Sequence, residues 1–131
     1  MDIEYRFDRN VPHQDLIKFY QDSSYNQWWA ERNVQASLDY CYLFATAWAD
    51  GQLIGTLVLH SDEVNFAFID EIVIHTDFRG KGIGTTLLNE ALRKIQELKV
   101  DFVQLIPIPG RESFFARAGF KVIPDHQVME L

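Results

Sequence analysis

The sequence predicts an α/β (α+β) domain in which a mixed, mostly antiparallel sheet is flanked by helices. Three observations carry that prediction. Two β-rich runs flank Asp50-Gly51, a longer apolar run covers residues 66–74, and directly after it the apolar spacing switches to that of a helix over 83–98.

Taken in order, Ile3, Tyr5 and Phe7 alternate with charged residues, the period of a half-buried strand. Pro12 then opens a helical pattern in which Leu16, Ile17, Phe19 and Tyr20 cluster; proline suits a helix start because its missing N–H would have had no partner there. A loop or short helix follows, carrying Tyr25, Trp28 and Trp29. Residues 40–49 and 52–60 are rich in β-branched, aromatic and aliphatic side chains, and Asp50-Gly51 between them predicts an antiparallel hairpin because glycine tolerates positive φ. A second turn at Ser61-Asp62-Glu63 leads into Phe66 to Ile74, read as a central strand buried on both faces. Ile83, Leu87, Leu88, Ala91, Leu92, Ile95 and Leu98 form one helical stripe that must pack on the sheet. Residues 101–106 make a short strand and Glu112 to Ala118 a short helix capped by Gly119. Phe120 to Ile123 and Val128 to Leu131 are expected to add final strands.

Composition narrows the class. With 131 residues, 47% apolar and 24% charged, one core and a single domain over residues 1–131 are expected, with no linker or repeat to start a second. Cys41 is alone and sits in an apolar run, so it reads as a buried thiol and suits a reducing compartment. Met1 to Asn10 hold no apolar stretch of signal-peptide length, and no run is long enough to span a bilayer, which predicts a soluble cytoplasmic protein with no membrane partner. The net charge of −7, with no basic block beyond Arg79 to Lys81, argues against nucleic acid and favours a cationic small molecule.

The segment from Asp70 to Thr85 carries the chemistry: a buried strand runs through a basic, glycine-rich turn into an amphipathic helix. Gly80, Gly82 and Gly84 remove Cβ atoms that would block a ligand, the helix start offers unpaired N–H groups and the positive end of its dipole, and Arg79 and Lys81 add charge. That combination suits a pyrophosphate. A Walker loop is excluded because Lys81 precedes the second glycine and no Ser or Thr follows it. The dinucleotide fingerprint is excluded because Thr85 and Leu87 stand where its last glycine would fall.

Arg79-Gly80-Lys81-Gly82-Ile83-Gly84 resembles the Arg/Gln-x-x-Gly-x-Gly/Ala pyrophosphate loop of the GNAT N-acetyltransferase superfamily. Ile72-Val73-Ile74 resembles that family's fourth strand, and Phe114-Phe115-Ala116-Arg117-Ala118-Gly119-Phe120 its second signature, commonly Phe-Tyr-x-x-x-Gly-Phe. The resemblance covers nearly the whole chain, since the order of elements also agrees. It implies a splayed sheet with acetyl-CoA as co-substrate, bound between the strands of residues 70–75 and 101–106, and requires no metal. The amides of Arg79, Gly80, Lys81, Gly82, Ile83 and Gly84 would hold the pyrophosphate, and the backbone of Ile72, Val73 and Ile74 the pantetheine. An N–H near Val73 or Ile74 would polarise the thioester carbonyl. The implied reaction is direct acetyl transfer to a primary amine, with a small-molecule acceptor favoured over a protein or peptide because so short a chain has little further recognition surface. The protein would act as a monomer or homodimer.

An ammonium must lose its proton before attack, and with a pKa near 10.4 only about one in two thousand is neutral at pH 7. Glu71 is the candidate base and Asp70 the alternative; strand alternation predicts that one of them enters the cleft, while His75, on the Glu71 face, is a weaker choice. The other reading makes both carboxylates sheet residues satisfied by their neighbours. Phe115 occupies the position of a tyrosine that, in many family members, protonates the departing thiolate, and phenylalanine has no proton to give. Either the thiolate leaves as an anion or another donor such as Tyr25 substitutes. A non-catalytic acyl-CoA-binding module is therefore the competing reading. The family's frequent asparagine before this helix is also missing, with Pro107-Ile108-Pro109-Gly110 in its place. Tyr25, Trp28 and Trp29 are candidates for the acceptor wall, or else core aromatics. Arg111 and Arg117 either approach the CoA 3′-phosphate or are solvated helix charges.

Overall fold

The computed structural model describes residues 1–23 and 31–131, with residues 31–33 described by their backbone alone. The elements run β1 (Ile3–Arg6), α1 (His13–Asp22), α2 (Glu31–Tyr40), β2 (Leu43–Ala49), β3 (Gln52–Ser61), β4 (Phe66–Ile74), a 3-10 turn (Thr76–Phe78), α3 (Ile83–Leu98), β5 (Phe102–Leu105) and α4 (Glu112–Ala116). The sheet is mixed and mostly antiparallel, as the sequence predicts. Its strands lie in chain order; β1 to β4 pair antiparallel, and β5 joins β4 in parallel after the α3 crossover.

Each face of the sheet has its own core. Toward α3, Ile83, Leu87, Leu88, Ala91 and Ile95 pack on Ala45, Ala47, Ile54, Leu57, Leu59 and Ile69. Burying each large side chain of that stripe contributes about 1.5–3 kcal/mol. On the other face Leu16, Phe19, Tyr20, Val34 and Leu38 pack on Phe44, Trp48, Val58 and Val73. The hairpin forms where Asp50-Gly51 predicts it, and both residues have positive φ, 49° and 77°.

Four expectations change. Pro12 sits one position outside α1, as its N-cap, with φ −56° and ψ 131°. The run at 40–49 begins as helix: α2 ends on the exposed Tyr40, and β2 starts at Leu43. Arg9 ties down that boundary by donating through its guanidinium to the carbonyl of Leu38, one that the helix terminus leaves open, and to those of Cys41 and Tyr42 just beyond the helix. Cys41 is buried and free beside it, with its Sγ 2.9 Å from Arg9; burial pushes the thiol up while the guanidinium opposes the shift. β4 is not buried along both faces, since Phe66 and Asp70 are exposed.

The fourth change is at the end of the chain, where residues 120–123 and 128–131 form no strand and residues 121–131 are exposed throughout. Pro124 lacks an N–H and Asp125 turns the chain at φ +61°, so neither run is aligned with a neighbouring ladder. Before this, α4 ends at Ala116, two residues short of the expected Ala118, and the turn after it closes at the expected Gly119, φ +103°. Gly119 N donates to Ala116 O at 3.0 Å and Phe120 N to Phe115 O at 3.2 Å, and the Phe115 and Phe120 rings meet edge to face. That is a Schellman closure with its hydrophobic contact.

Candidate active site

The β4–β5 ladder runs from Phe66↔Phe102 to Ile69↔Leu105 and stops. Past that point the strands part, so the backbone groups of residues 70–74 on this side face a cleft instead of a strand. The cleft has a volume of about 690 Å³; its walls are Ile69 to Ile74 on one side, Leu105 to Ile108 on the other, and Phe114 and Phe115 of α4 beside them.

The turn and the start of α3 close one end. His75 is buried and caps the 3-10 turn, its N donating to Ile54 O at 2.8 Å and its Nδ1 accepting from Asp77 N at 3.1 Å. It does not line the cleft. Gly80 and Gly82 follow with φ of +76° and +81°, where an L side chain is strained, and Gly82 is the N-cap of α3. The first intrahelical bond is Thr86 N to Gly82 O, 3.1 Å, so the N–H groups of Ile83, Gly84 and Thr85 lack i−4 partners at the positive end of a 16-residue helix. The helix axis is fixed by the buried stripe below it. Gly84 serves differently: a Cβ there would lie 3.4 Å from the Phe114 ring, so its lack of one keeps this end open.

The two cations of the turn are not used alike. Arg79 donates from Nε to Ile74 O at 3.2 Å and from its guanidinium to Ser23 O at 3.3 Å, tying the end of β4 to the end of α1. Lys81 is exposed outside the cleft lining, its Nζ 5.6 Å from the Phe78 ring centre. Arg111 and Arg117 line the cleft and are exposed.

The carboxylates sit on a bulge. Glu71 lies opposite Val58 and Ile69 opposite Leu59, which leaves Asp70 without a cross-strand partner. The extra residue reverses the pleat: Ala67 and Ile69 face the α3 core before it, Ile72 and Ile74 pack against that core after it, and Val73 joins the α1 side. Both Asp70 and Glu71 line the cleft, as do their neighbours from Ile69 to Ile74, and the bulge interrupts strict alternation between them. Asp70 is exposed, with His60 Nε2 3.4 Å from its Oδ2. Glu71 is half-buried and accepts a short hydrogen bond on Oε1 from the Tyr20 hydroxyl, which is itself 3.3 Å from Thr56 Oγ1. Burial pushes the Glu71 carboxyl up to about 8; the Tyr20 bond opposes this and the Asp70 charge adds to it. Burial, then the Glu71 charge, raises the Tyr20 phenol well above its ordinary value.

The cleft thus brings together Asp70, Glu71, Ile72, Val73, Ile74, Arg79, Gly80, Gly82, Ile83, Gly84 and Phe115, and leaves Lys81 outside. Tyr25, Trp28 and Trp29 lie outside the described residues. Sequence reasoning missed Tyr20 and Thr56. Both occupy core positions of their elements, and the one signal was a hydroxyl on each at a place where hydrocarbon would pack as well. Among the described residues no helix is long and apolar enough to cross a membrane, and no group of three or more His, Cys, Asp or Glu is placed to hold a metal ion.

Comparisons with known proteins bear on this arrangement. The model of the acetyltransferase (GNAT) family matches residues 4–120. An uncharacterised N-acetyltransferase, ycf52, of Pyropia yezoensis is 30% identical over 77 residues, which cover 59% of this chain and 44% of that protein. The chain spans about half the length of the curated relatives it matches. Among solved structures, a GNAT family acetyltransferase of Streptococcus pneumoniae superposes with a TM-score of 0.85 at 23% identity, covering 99% of this chain and 97% of that one. PaiA N-acetyltransferase of Thermoplasma acidophilum, in complex with coenzyme A, superposes with a TM-score of 0.70 at 23% identity, covering 96% and 94%.

Proposed function

The chain belongs to the acetyltransferase (GNAT) family, and from that premise we propose that it is an acetyl-CoA-dependent N-acetyltransferase which transfers the acetyl group directly to the primary amine of a small molecule. One observation carries the reading: the ladder of the sheet ends at Ile69↔Leu105, and the opening it leaves is closed by a helix start whose first amides have no i−4 partner. The residues fit the co-substrate. The amides from Arg79 to Gly84 suit the pyrophosphate, the strand-free edge of Ile72, Val73 and Ile74 suits the pantetheine amides, and Phe114 with Phe115 makes an apolar wall. Arg79 contributes its amide, since its guanidinium is engaged by two carbonyls. The coenzyme A complex of the Thermoplasma acetyltransferase, a protein of the same fold, supports this reading.

Acetyl-CoA supplies a thioester open to attack by a neutral amine. The chain's own part is to hold the partners together and to take the proton. With its carboxyl near 8, Glu71 is ionised in about one molecule in ten at pH 7, yet each carboxylate is a far better base than an ordinary one, the compromise a general base needs. Asp70, exposed and beside His60, is the alternative base. The N–H of Ile74 polarises the thioester carbonyl: His75 N is bonded to Ile54 O across the ladder, so backbone alternation turns the Ile74 N–H to the cleft and that of Val73 toward β3. Phe115 offers no proton, so the thiolate leaves as an anion, which a thiol pKa near 8.5 permits. The net charge of −7 favours a cationic acceptor.

The test is acetyl-CoA-dependent release of free thiol across polyamines, aryl-alkyl amines, amino acids and short peptides, with Gly82→Trp as control. Release driven by one class of small amine and lost in the control is expected. Binding of coenzyme A without turnover would favour the binding-module reading, peptides as the only acceptors would move the substrate class, and no binding at all would overturn the proposal.

A further inference from the structure

We infer that Tyr20 is a positioning residue for Glu71: its hydroxyl occupies Oε1 of the carboxylate, fixes the side chain against the sheet, and leaves the second oxygen to receive the proton of the amine. This rests on the proposed function and deepens it.

The observations come from three elements. Tyr20 stands in the last turn of α1, Thr56 in the middle of β3 and Glu71 just past the bulge of β4. Tyr20 is 1% exposed and Thr56 is fully buried, so the phenol has its position fixed by packing on Phe19, their rings 5.2 Å apart, and by the sheet beneath. A hydroxyl in such a place costs stability unless it is paired, and it is paired to a half-buried carboxylate of the cleft. Because the phenol is held far from ionisation, it acts on Glu71 as a donor only. Among the described residues, the other charged group that acts on Glu71 pushes the opposite way. Asp70, next along β4, disfavours its charge, and His60 of β3 meets Asp70, not Glu71. Among the described residues Tyr20 is thus the contact that favours the carboxylate form, and it selects one oxygen in doing so.

The sign of the effect follows. Without the hydroxyl, burial and Asp70 act unopposed, the carboxyl moves further up, and the ionised fraction at pH 7 falls. A hydrogen bond to a charged group is worth about one pH unit or more, so Tyr20→Phe should lower kcat/KM about tenfold at pH 7 and recover most of it above pH 9. A purely structural role would lower the rate at every pH and leave the midpoint in place.

Two measurements on the whole chain separate the possibilities: the pH profile of kcat/KM with the best amine, and the carbon-13 titration of the Glu71 carboxyl, assigned with Glu71→Gln. Expected are an upward move of both midpoints in Tyr20→Phe and unchanged affinity for coenzyme A. Thr56→Val, which keeps the ring and its packing, should move the midpoints the same way by less, and it serves if the first variant does not fold. A rate profile with a fixed midpoint and a carboxyl that does not shift would overturn the inference while leaving the transferase reading intact. A carboxyl that shifts in a protein with no amine turnover would uphold the coupling and overturn the transferase reading.

Discussion

Glu71 is a strand residue whose burial costs stability once it is ionised, and that cost has a pH dependence. Its carboxyl is raised from 4.5 to about 8 in the folded chain. Between those values the folded state keeps a proton that the unfolded state has lost, so stability is highest below about 4.5 for this group and declines as pH rises toward 8. The loss is of the order of a few kcal/mol. Glu71→Gln cannot ionise, so urea denaturation at pH 5.5 and pH 8 should show a steeper decline in the wild type than in the variant, with the variant the more stable of the two at pH 8. A variant slope as steep as the wild type's would mean that the site does not bury charge. The same substitution removes the base and the acid limb of the rate profile, so stability and turnover should move in opposite directions at pH 8.

Among elements, the strand-turn-helix unit formed by β4, the glycine turn and α3 decides the cleft, and its glycines are required for different physical reasons. Gly82 has φ +81° and no neighbouring atom within 4 Å of an added Cβ, so its constraint is the backbone; Gly84 is helical and its constraint is the Phe114 ring. Gly82→Ala should therefore lower stability by about 1–2 kcal/mol. Gly84→Ala should hold or raise stability, by up to about 1 kcal/mol of helix propensity, while weakening coenzyme A binding by narrowing the cleft. Thermal unfolding and calorimetric titration of the two variants check this, and equal losses of stability in both would contradict it. This unit was legible in the sequence because its signals are local: apolar run, spaced glycines, helical stripe. The element α2 was not, since among its described side chains only Val34 and Leu38 are buried, too few to mark a period. The bulge at Asp70 was not either, because it arises from the register with β3, and the Tyr20–Glu71 contact joins residues 51 positions apart.

At the scale of the whole molecule, two cores share one sheet, and the cleft opens where the ladder between β4 and β5 ends. The last residues do not take part. Phe120 closes α4 against Phe115, but residues 121–131 are exposed along their length, including Val122 at 84% and Met129 at 93%. Sequence alone reads these runs as strands because Val, Ile and Phe favour pleated surfaces, yet β-propensity measures fit to a neighbour, and here no neighbour is aligned. Stability should then depend little on them. Truncation after Lys121 keeps the Phe115–Phe120 contact and the Schellman bonds of Gly119 and Phe120, and should change the unfolding free energy by under about 1 kcal/mol, since exposed side chains contribute little. Truncation after Ala118 removes that closure and the ring of Phe120, and should cost about 1–3 kcal/mol together with affinity for coenzyme A, because Phe115 forms part of the cleft wall. Parallel thermal melts and coenzyme A titrations of the two shortened chains test the contrast: if the longer one melts as early as the shorter, residues 122–131 hold contacts that their exposure denies.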